Sequence, residues 1–241
     1  HINIKFTMNQ TLQNKKGLVK NVFDKVYDKY DLMNDFMSMG IHRLWKKDLI
    51  NWMAPFPKKK LIDMACGTGD IGKLFLENTN YEGKVLFIDP NLKMLKKGMD
   101  RLKNHKNISW KKGSAEKIPA PNNFFDYYCI SFGLRNTKNI NKSLKEAYRV
   151  LKPGGRFLCL EFSKVQNLYL ENFYKKYSRL IPHIGKLVVG EKEPYEYLIK
   201  SIENFINQDE LIKSMKKNNF AKCEYRNLNG GVVAIHSGWK I

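Results

Sequence analysis

The 241-residue chain is poor in cysteine, histidine and acid, and it has no long apolar run. Its four cysteines, Cys66, Cys129, Cys159 and Cys223, form no C-x-x-C pair, and no histidine cluster accompanies them, which excludes the usual structural zinc sites. Reduced thiols packed as small hydrophobes in a reducing compartment are the expectation. No stretch approaches the roughly 18 apolar residues of a membrane-spanning helix. The first 16 residues are polar and lack the apolar core of a secretory signal, and a flexible tail is expected there. Acidic residues number 23 against 43 basic ones, a net charge of +20. That charge fits nucleic acid or anionic lipid. The lysines are scattered, however, and the longest cluster is only Lys58-Lys59-Lys60, so a solvated basic surface is the plainer reading. Apolar content of 43% and charged content of 27% are those of a globular chain and exclude wholesale disorder.

What is present is an alternation of patterns. Val19, Val22, Phe23, Val26, Tyr27 and Tyr30 recur at helical spacing, and a second helical stretch runs from His42 to about Trp52 before Pro55 and Pro57. Residues 17–57 read as a helical lid ahead of a main domain, 58–241. Segments at Leu61–Ala65, Val85–Ile88, Ile108–Lys112, Phe124–Ser131 and Arg156–Phe162 read as strands, with helices between them. Pro153-Gly154-Gly155 marks a stop after the helix at about Asn141–Leu151. Such alternation predicts an α/β fold, a parallel sheet with helices on both faces. Residues from 164 to about 219 read as a helical insert, and Ala221–Leu228 with Val232–Ser237 as a closing hairpin turned by Asn229-Gly230-Gly231.

The turn after the first strand carries two readings. Gly67-Thr68-Gly69-Asp70-Ile71-Gly72 satisfies G-x-G-x-x-G, and Asp89 follows at roughly the 20-residue distance of a ribose-binding acid, the dinucleotide fingerprint. Asp63 lies four positions before Gly67, which gives the D-x-x-x-G-x-G pattern of S-adenosylmethionine-binding methyltransferases. An acid there suits a ligand ammonium and repels a pyrophosphate; alternatively Asp63 braces the turn. Asp89 has the acceptors for both hydroxyls of a ribose, or else it caps the next helix through Pro90. Ser114-Ala115-Glu116 follows the third strand, where an adenine would lie, and Ser131 ends the fourth strand at the crevice where open α/β sheets take ligands.

Beyond the turn, Tyr30-Asp31-Leu32-Met33-Asn34 with Ser38, His42 and Trp45 resembles the N-terminal signature of the ubiquinone/menaquinone biosynthesis C-methyltransferase family. Arg149-Val150-Leu151-Lys152-Pro153-Gly154-Gly155 with Glu161 and Ser163 resembles its second signature. Ile130 to Asn136 and Gly230 to His236 are also similar, so the likeness runs from about Gly17 onward. It implies a Rossmann-like seven-stranded methyltransferase sheet, S-adenosylmethionine as methyl donor, and methylation of a ring carbon on a polyprenylated hydroquinone. The cofactor residues it implies are Thr68, Asp89, Ser114, Ala115 and Ser131, with Gly67 and Gly69 shaping the turn. Ser114 departs from the Asp or Asn common in the family.

The chemistry needs no metal, because a sulfonium methyl is already electrophilic. The ring carbon becomes nucleophilic once a neighbouring hydroxyl loses its proton. Arg135 is the first candidate to stabilise that phenolate or orient a water, since arginine is a poor direct base. A salt bridge on the crevice wall is its plain alternative. His42 is the second catalytic candidate. Tyr27, Tyr30, Asn136 and Tyr177 are candidates for the quinol pocket, the last within an aromatic segment, Leu168 to Ile184. Lys175, Lys176, Arg179 and Lys186 in or just after that segment would face lipid headgroups. Expected partners are the quinol and a membrane surface; a quinone-synthesis complex and a homodimer are compatible, and nucleic acid is disfavoured, since neither a P-P-Y-like tetrapeptide nor a Pro-Cys nucleophile is present. A nicotinamide oxidoreductase and a non-catalytic cofactor-binding subunit are the competing functions. The cytoplasm or the mitochondrial matrix, at the inner membrane, is the expected location.

Overall fold

The computed structural model describes Ser38, residues 40–165 and residues 193–241. In chain order they form α1 (His42–Met53), β1 (Lys60–Met64), α2 (Asp70–Asn78), β2 (Lys84–Asp89), α3 (Leu92–Arg101), β3 (Ile108–Lys112), β4 (Phe125–Ser131), α4 (Ile140–Val150), β5 (Leu151–Phe162), α5 (Glu193–Glu203), α6 (Gln208–Lys217), β6 (Ala221–Leu228) and β7 (Val233–Trp239). The seven strands make one sheet in the order β3-β2-β1-β4-β5-β7-β6. β1 to β5 run parallel, and β7 is antiparallel to both β5 and β6.

The strands β1, β2, β4 and β5 are buried on both sides, as parallel sheets require, while the edge strand β3 is largely exposed. Because side chains alternate, each central strand feeds two cores. Leu61, Val85, Phe87, Tyr127, Cys129, Leu158 and Leu160 point to one, which α1, α2 and α5 cover with Trp45, Leu49, Phe75, Tyr195 and Leu198. Ile62, Leu86, Ile88, Tyr128, Ile130, Phe157 and Cys159 point to the other, covered by α4 and α6 through Leu144, Ala147, Leu211 and Met215. Burial pushes the Cys129 and Cys159 thiols well above their ordinary range, as befits cysteines used for packing. All four cysteines are free.

α3, α4 and α6 start after an asparagine that caps them, whereas α1 and α2 follow Ile41 and Gly69 with no side-chain cap. Asn91 caps α3 by accepting from Lys93 N and Met94 N at 2.9 and 3.3 Å, and Asn207 with Glu210 forms a capping box on α6. Asp89 therefore does not cap α3, and Pro90 is not its first residue. β5 also begins earlier than expected. Its register jumps from the Phe125–Leu151 pair to the Tyr127–Arg156 pair. The Pro-Gly-Gly stretch loops out between them, held by Gly154 N to Lys240 O (2.7 Å) and Lys240 N to Gly155 O (2.9 Å).

α2 follows β1 onto one face, and α4 follows β4 onto the other. β1 and β4 are neighbours, so their C-terminal ends flank a topological switch point, where such sheets open a crevice.

Candidate active site

One wall of the crevice is the turn from Ala65 to Gly69. Gly67 and Gly69 adopt φ of 55° and 87°, left-handed values that glycine reaches without penalty. Two buried carboxylates hold the turn from below. Asp89 accepts from Gly67 N at 2.9 Å and from Asn91 N at 2.8 Å. Asp63, 1% exposed, accepts from Gly72 N at 2.9 Å. The bond that the structure gives Asp63 is thus to the first turn of α2, just beyond the glycines. Burial raises both carboxyls, Asp63 to about 7 and Asp89 to about 6, against the lowering by those N–H donors. Gly72 permits close packing: a Cβ there would lie 2.2 Å from Phe87 Cε1. Phe87 in turn stacks on Trp110, with centroids 4.0 Å apart.

The turn is tied sideways to two helices. Asp70, the first residue of α2, accepts from Lys46 Nζ on α1 at 2.6 Å and from Arg101 on α3 at 2.5 Å. Arg101 also donates to Thr68 Oγ1 at 3.1 Å. Lys46 and Arg101 hold the Asp70 carboxyl far below its usual range, outweighing its burial.

The opposite wall grows from the end of β4. Ser131 Oγ is buried and has no hydrogen-bond partner among the described residues. Phe132 follows with φ of 53°, an unusual value for a bulky residue, fixed by its N–H bond to Leu160 O at 2.7 Å. A Cβ on Gly133 would lie 2.5 Å from Ala65 Cβ, so this loop presses directly on the glycine turn. The 3-10 turn Leu134–Asn136 then presents Arg135 and Asn136. Arg135 Nη1 donates to Glu161 Oε1 at 2.7 Å and to Phe132 O at 2.6 Å, and Nε donates to Ser201 Oγ at 3.3 Å. The pair is deeply buried, with side chains 4% and 1% exposed. Burial raises the Glu161 carboxyl even against the pull of Arg135. Among the described residues, Arg135 Nη2 has no acceptor. Asn136 Oδ1 accepts from Tyr197 Oη at 3.0 Å.

Trp45, Phe132 and Phe162 cluster beside this wall, with centroids 4.9 to 6.2 Å apart. Trp45 Nε1 donates to Asn229 Oδ1 at 2.6 Å, which links α1 to the β6–β7 turn. His42, at the start of the same helix, is buried, and its backbone N–H reaches Ser38 Oγ at 3.2 Å.

The structure thus brings Asp63, Gly67, Thr68, Gly69, Asp89, Ser131, Arg135 and Asn136 to one end of the sheet. The loop of Ser114 and Ala115 joins them through Gly113 N, which donates to Asp89 O at 3.2 Å. Ala115 itself is buried in the core with Ile118. Tyr27, Tyr30, Tyr177 and the cationic segment around it lie outside the described residues. No metal-ligand cluster occurs among the described residues, and none of their helices is long and apolar enough to cross a membrane. Sequence reasoning missed Tyr197 and Ser201. They stand 61 and 66 residues from their partners, and no motif connects them. The pairing of Arg135 with Glu161 was open only as an unnamed salt bridge.

The sheet order, with one antiparallel strand inserted beside β5 and a glycine turn after β1, defines a class I methyltransferase. A SAM-dependent methyltransferase from Thermotoga maritima superposes with a TM-score of 0.64 at 18% identity, covering 92% of this chain and 99% of that one. The putative methyltransferase solved with the Haloferax volcanii Trm112 activator gives 0.66 at 14% identity, covering 92% and 97%. The chain belongs to the ubiE/COQ5 methyltransferase family, whose profile matches residues 9–240. It is 49% identical over 234 residues to the ubiquinone/menaquinone biosynthesis C-methyltransferase UbiE of Rickettsia akari, covering 94% of each chain. To the UbiE of Brucella abortus it is 45% identical over 233 residues, covering 94% of this chain and 87% of that one. The protein is therefore a methyltransferase, and the nicotinamide reading of Gly67–Gly72 is set aside.

Proposed function

We propose that the chain methylates a ring carbon of a polyprenylated hydroquinone, the benzoquinol or demethylmenaquinol precursor of ubiquinone or menaquinone, with S-adenosylmethionine as donor. The names of its close relatives support the substrate class. The observation that carries the chemistry is the anchored guanidinium at the end of β4. Glu161, Phe132 O and Ser201 fix Arg135 on three sides, and Nη2 is left without an acceptor among the described residues.

The residues also fit the donor. A carboxylate offers about four acceptor positions, so Asp89 keeps two for ribose hydroxyls after binding Gly67 N and Asn91 N. Ser131 Oγ is a buried hydroxyl with no partner among the described residues, as expected of a group that meets a ligand. Bound there, the donor supplies an electrophilic methyl group on a sulfonium. The protein's own task is to align the ring carbon with that methyl and to favour the phenolate form of the quinol. Arg135 donates from Nη2 to the developing phenolate oxygen while the hydroxyl proton passes to water; once the ring carbon has taken the methyl and the neutral thioether has left, the hydrogen on that carbon departs as a proton to water and the ring regains its aromaticity. Asn136 adds neutral donors from Nδ2. Trp45, Phe132 and Phe162 give the ring an apolar surface. Tyr27, Tyr30, Tyr177 and His42 complete the proposed pocket. The +20 charge favours contact with an anionic membrane surface, where the prenyl tail of the substrate resides.

The test is anaerobic transfer of labelled methyl from S-adenosylmethionine to short-tailed demethylmenaquinol and, in parallel, the benzoquinol. Product from a reduced ring and none from its oxidised quinone is the expected result. Confirmed donor binding with no product from either quinol rejects the substrate assignment.

A further inference from the structure

α5 lies against the 3-10 turn that carries Arg135 and Asn136, although the chain passes through β5 before reaching it. Two of its side chains, Tyr197 and Ser201, are one helical turn apart and so share a face. Each bonds a different member of the Arg135-Asn136 pair. Tyr197 Oη donates to Asn136 Oδ1, which fixes the amide so that its Nδ2 donors point elsewhere. Ser201 Oγ accepts from Arg135 Nε and in turn donates to Leu198 O at 2.7 Å, so its lone pairs face the guanidinium. The helix end is held as well: Lys164 Nζ, just beyond β5, donates to Glu203 O at 2.5 Å. α5 is therefore built into the site by polar bonds as well as by the buried Tyr195, Leu198 and Ile202.

We infer that Tyr197 and Ser201 are positioning residues for methyl transfer. They orient Asn136 and Arg135 so that Nδ2 and Nη2 converge on one acceptor oxygen. The inference rests on the proposed reaction and deepens it: the two hydroxyls act through the pair and need not touch substrate. Tyr197→Phe removes the donor that holds the amide and lets Asn136 turn its carbonyl toward the phenolate oxygen, where it repels. Ser201→Ala leaves Nε without its acceptor and frees the guanidinium to rotate about its remaining bonds.

The test is a pair of double-mutant cycles on the full chain, Tyr197→Phe with Asn136→Ala and Ser201→Ala with Arg135→Lys. The readouts are kcat on the reduced quinol, KM for S-adenosylmethionine and the melting temperature. Tyr197→Phe is expected to lower kcat by about tenfold, the loss of one hydrogen bond's worth of orientation, while KM for the donor holds. In the Asn136→Ala background the same change has no further effect, because its target is gone. An equal loss in both backgrounds, or a loss confined to donor KM or to stability, overturns the inference. If Tyr197→Phe fails to fold, the Ser201 cycle decides by the same criteria. A wild-type chain inactive on both reduced quinols overturns the substrate assignment and this inference with it; an active one with additive cycles overturns the inference alone.

Discussion

The two walls of the crevice are built by different means. The glycine turn is held by carboxylates that accept from backbone N–H groups, Asp89 from Gly67 across 22 residues and Asp63 from Gly72 of α2 across nine. The β4 wall is held by side chains reaching across 26 to 66 residues, from Arg135 to Glu161 and Ser201. Backbone donors cannot be mutated away, so the first wall survives most substitutions and depends on its carboxylates and on room for close packing. The second depends on a few side chains, each of which has a single replacement cost. A wall held by backbone bonds beside one held by replaceable side chains is the arrangement expected when one fold serves many acceptors.

The largest effect belongs to the second wall. Arg135→Ala strands the Glu161 carboxylate in the core and is expected to cost about 3–5 kcal/mol of stability, along with methyl transfer. Urea unfolding measures the first and a methyl-transfer assay the second. A stability loss below about 1 kcal/mol would mean that Glu161 is neutral or solvated in the variant and would erase the contrast.

The first wall breaks through packing. Gly72→Ala forces a Cβ into Phe87, which is itself stacked on Trp110, and is expected to cost about 1–3 kcal/mol and to weaken donor binding, seen by calorimetry.

Acidity gives a separate test of the first wall. Asp63 and Asp89 carry folded-state values of about 7 and 6, above the ordinary aspartate value near 4. The folded, ligand-free chain therefore holds more protons than the unfolded chain between those limits. The stability this contributes is full below pH 4 and is lost as pH rises toward 7. His236, held near 4 by burial, acts in the opposite direction between pH 4 and 6.5. The informative quantity is thus the difference between wild type and Asp63→Asn. It should change steadily from pH 4 to 7 in favour of the variant, and urea midpoints at several pH values read it directly. A constant difference would show that Asp63 is ionised throughout.

The smallest effect concerns the tie between the turn and α1. Lys46→Met removes one of two cations on Asp70 and leaves Arg101 in place, so a loss of about 0.5–1 kcal/mol is expected. The loss should show more clearly in the donor off-rate, by stopped flow, than in the melting temperature. An unchanged off-rate would make Lys46 a packing residue alone.

The same contrast explains what the sequence disclosed. All five parallel strands were legible: the inner ones are buried on both faces and so apolar at successive positions, as Val85 to Ile88 are, whereas the edge strand β3 shows only the alternation of half-buried Ile108 and Trp110 with exposed neighbours. The glycine turn was legible because its chemistry is local. Asp89 was read at the end of the second strand as a ribose acceptor or a helix cap, but its bond to Gly67 and the capping by Asn91 depend on the fold around β1 and the path of the chain after Pro90. β5 was placed short because a proline followed by two glycines reads as a stop, whereas their backbone groups find partners at Lys240. Tyr197 and Ser201 were illegible. On α5 they are two polar residues between apolar ones, and only the docking of that helix on the 3-10 turn gives them a purpose.

β7 follows β6 in sequence but lies inside it, between β6 and β5. While the polypeptide leaves the ribosome, β5 is an open edge, and its Leu158, Leu160 and Phe162 face is short of cover. A hydrophobic strand with free backbone groups is a template for unwanted pairing. Trp45 of α1 likewise waits for Asn229 before its indole N–H is satisfied. Chains interrupted before β7 are thus expected to aggregate rather than persist as smaller working enzymes, and newly made ones should depend on chaperones until that strand slots into place.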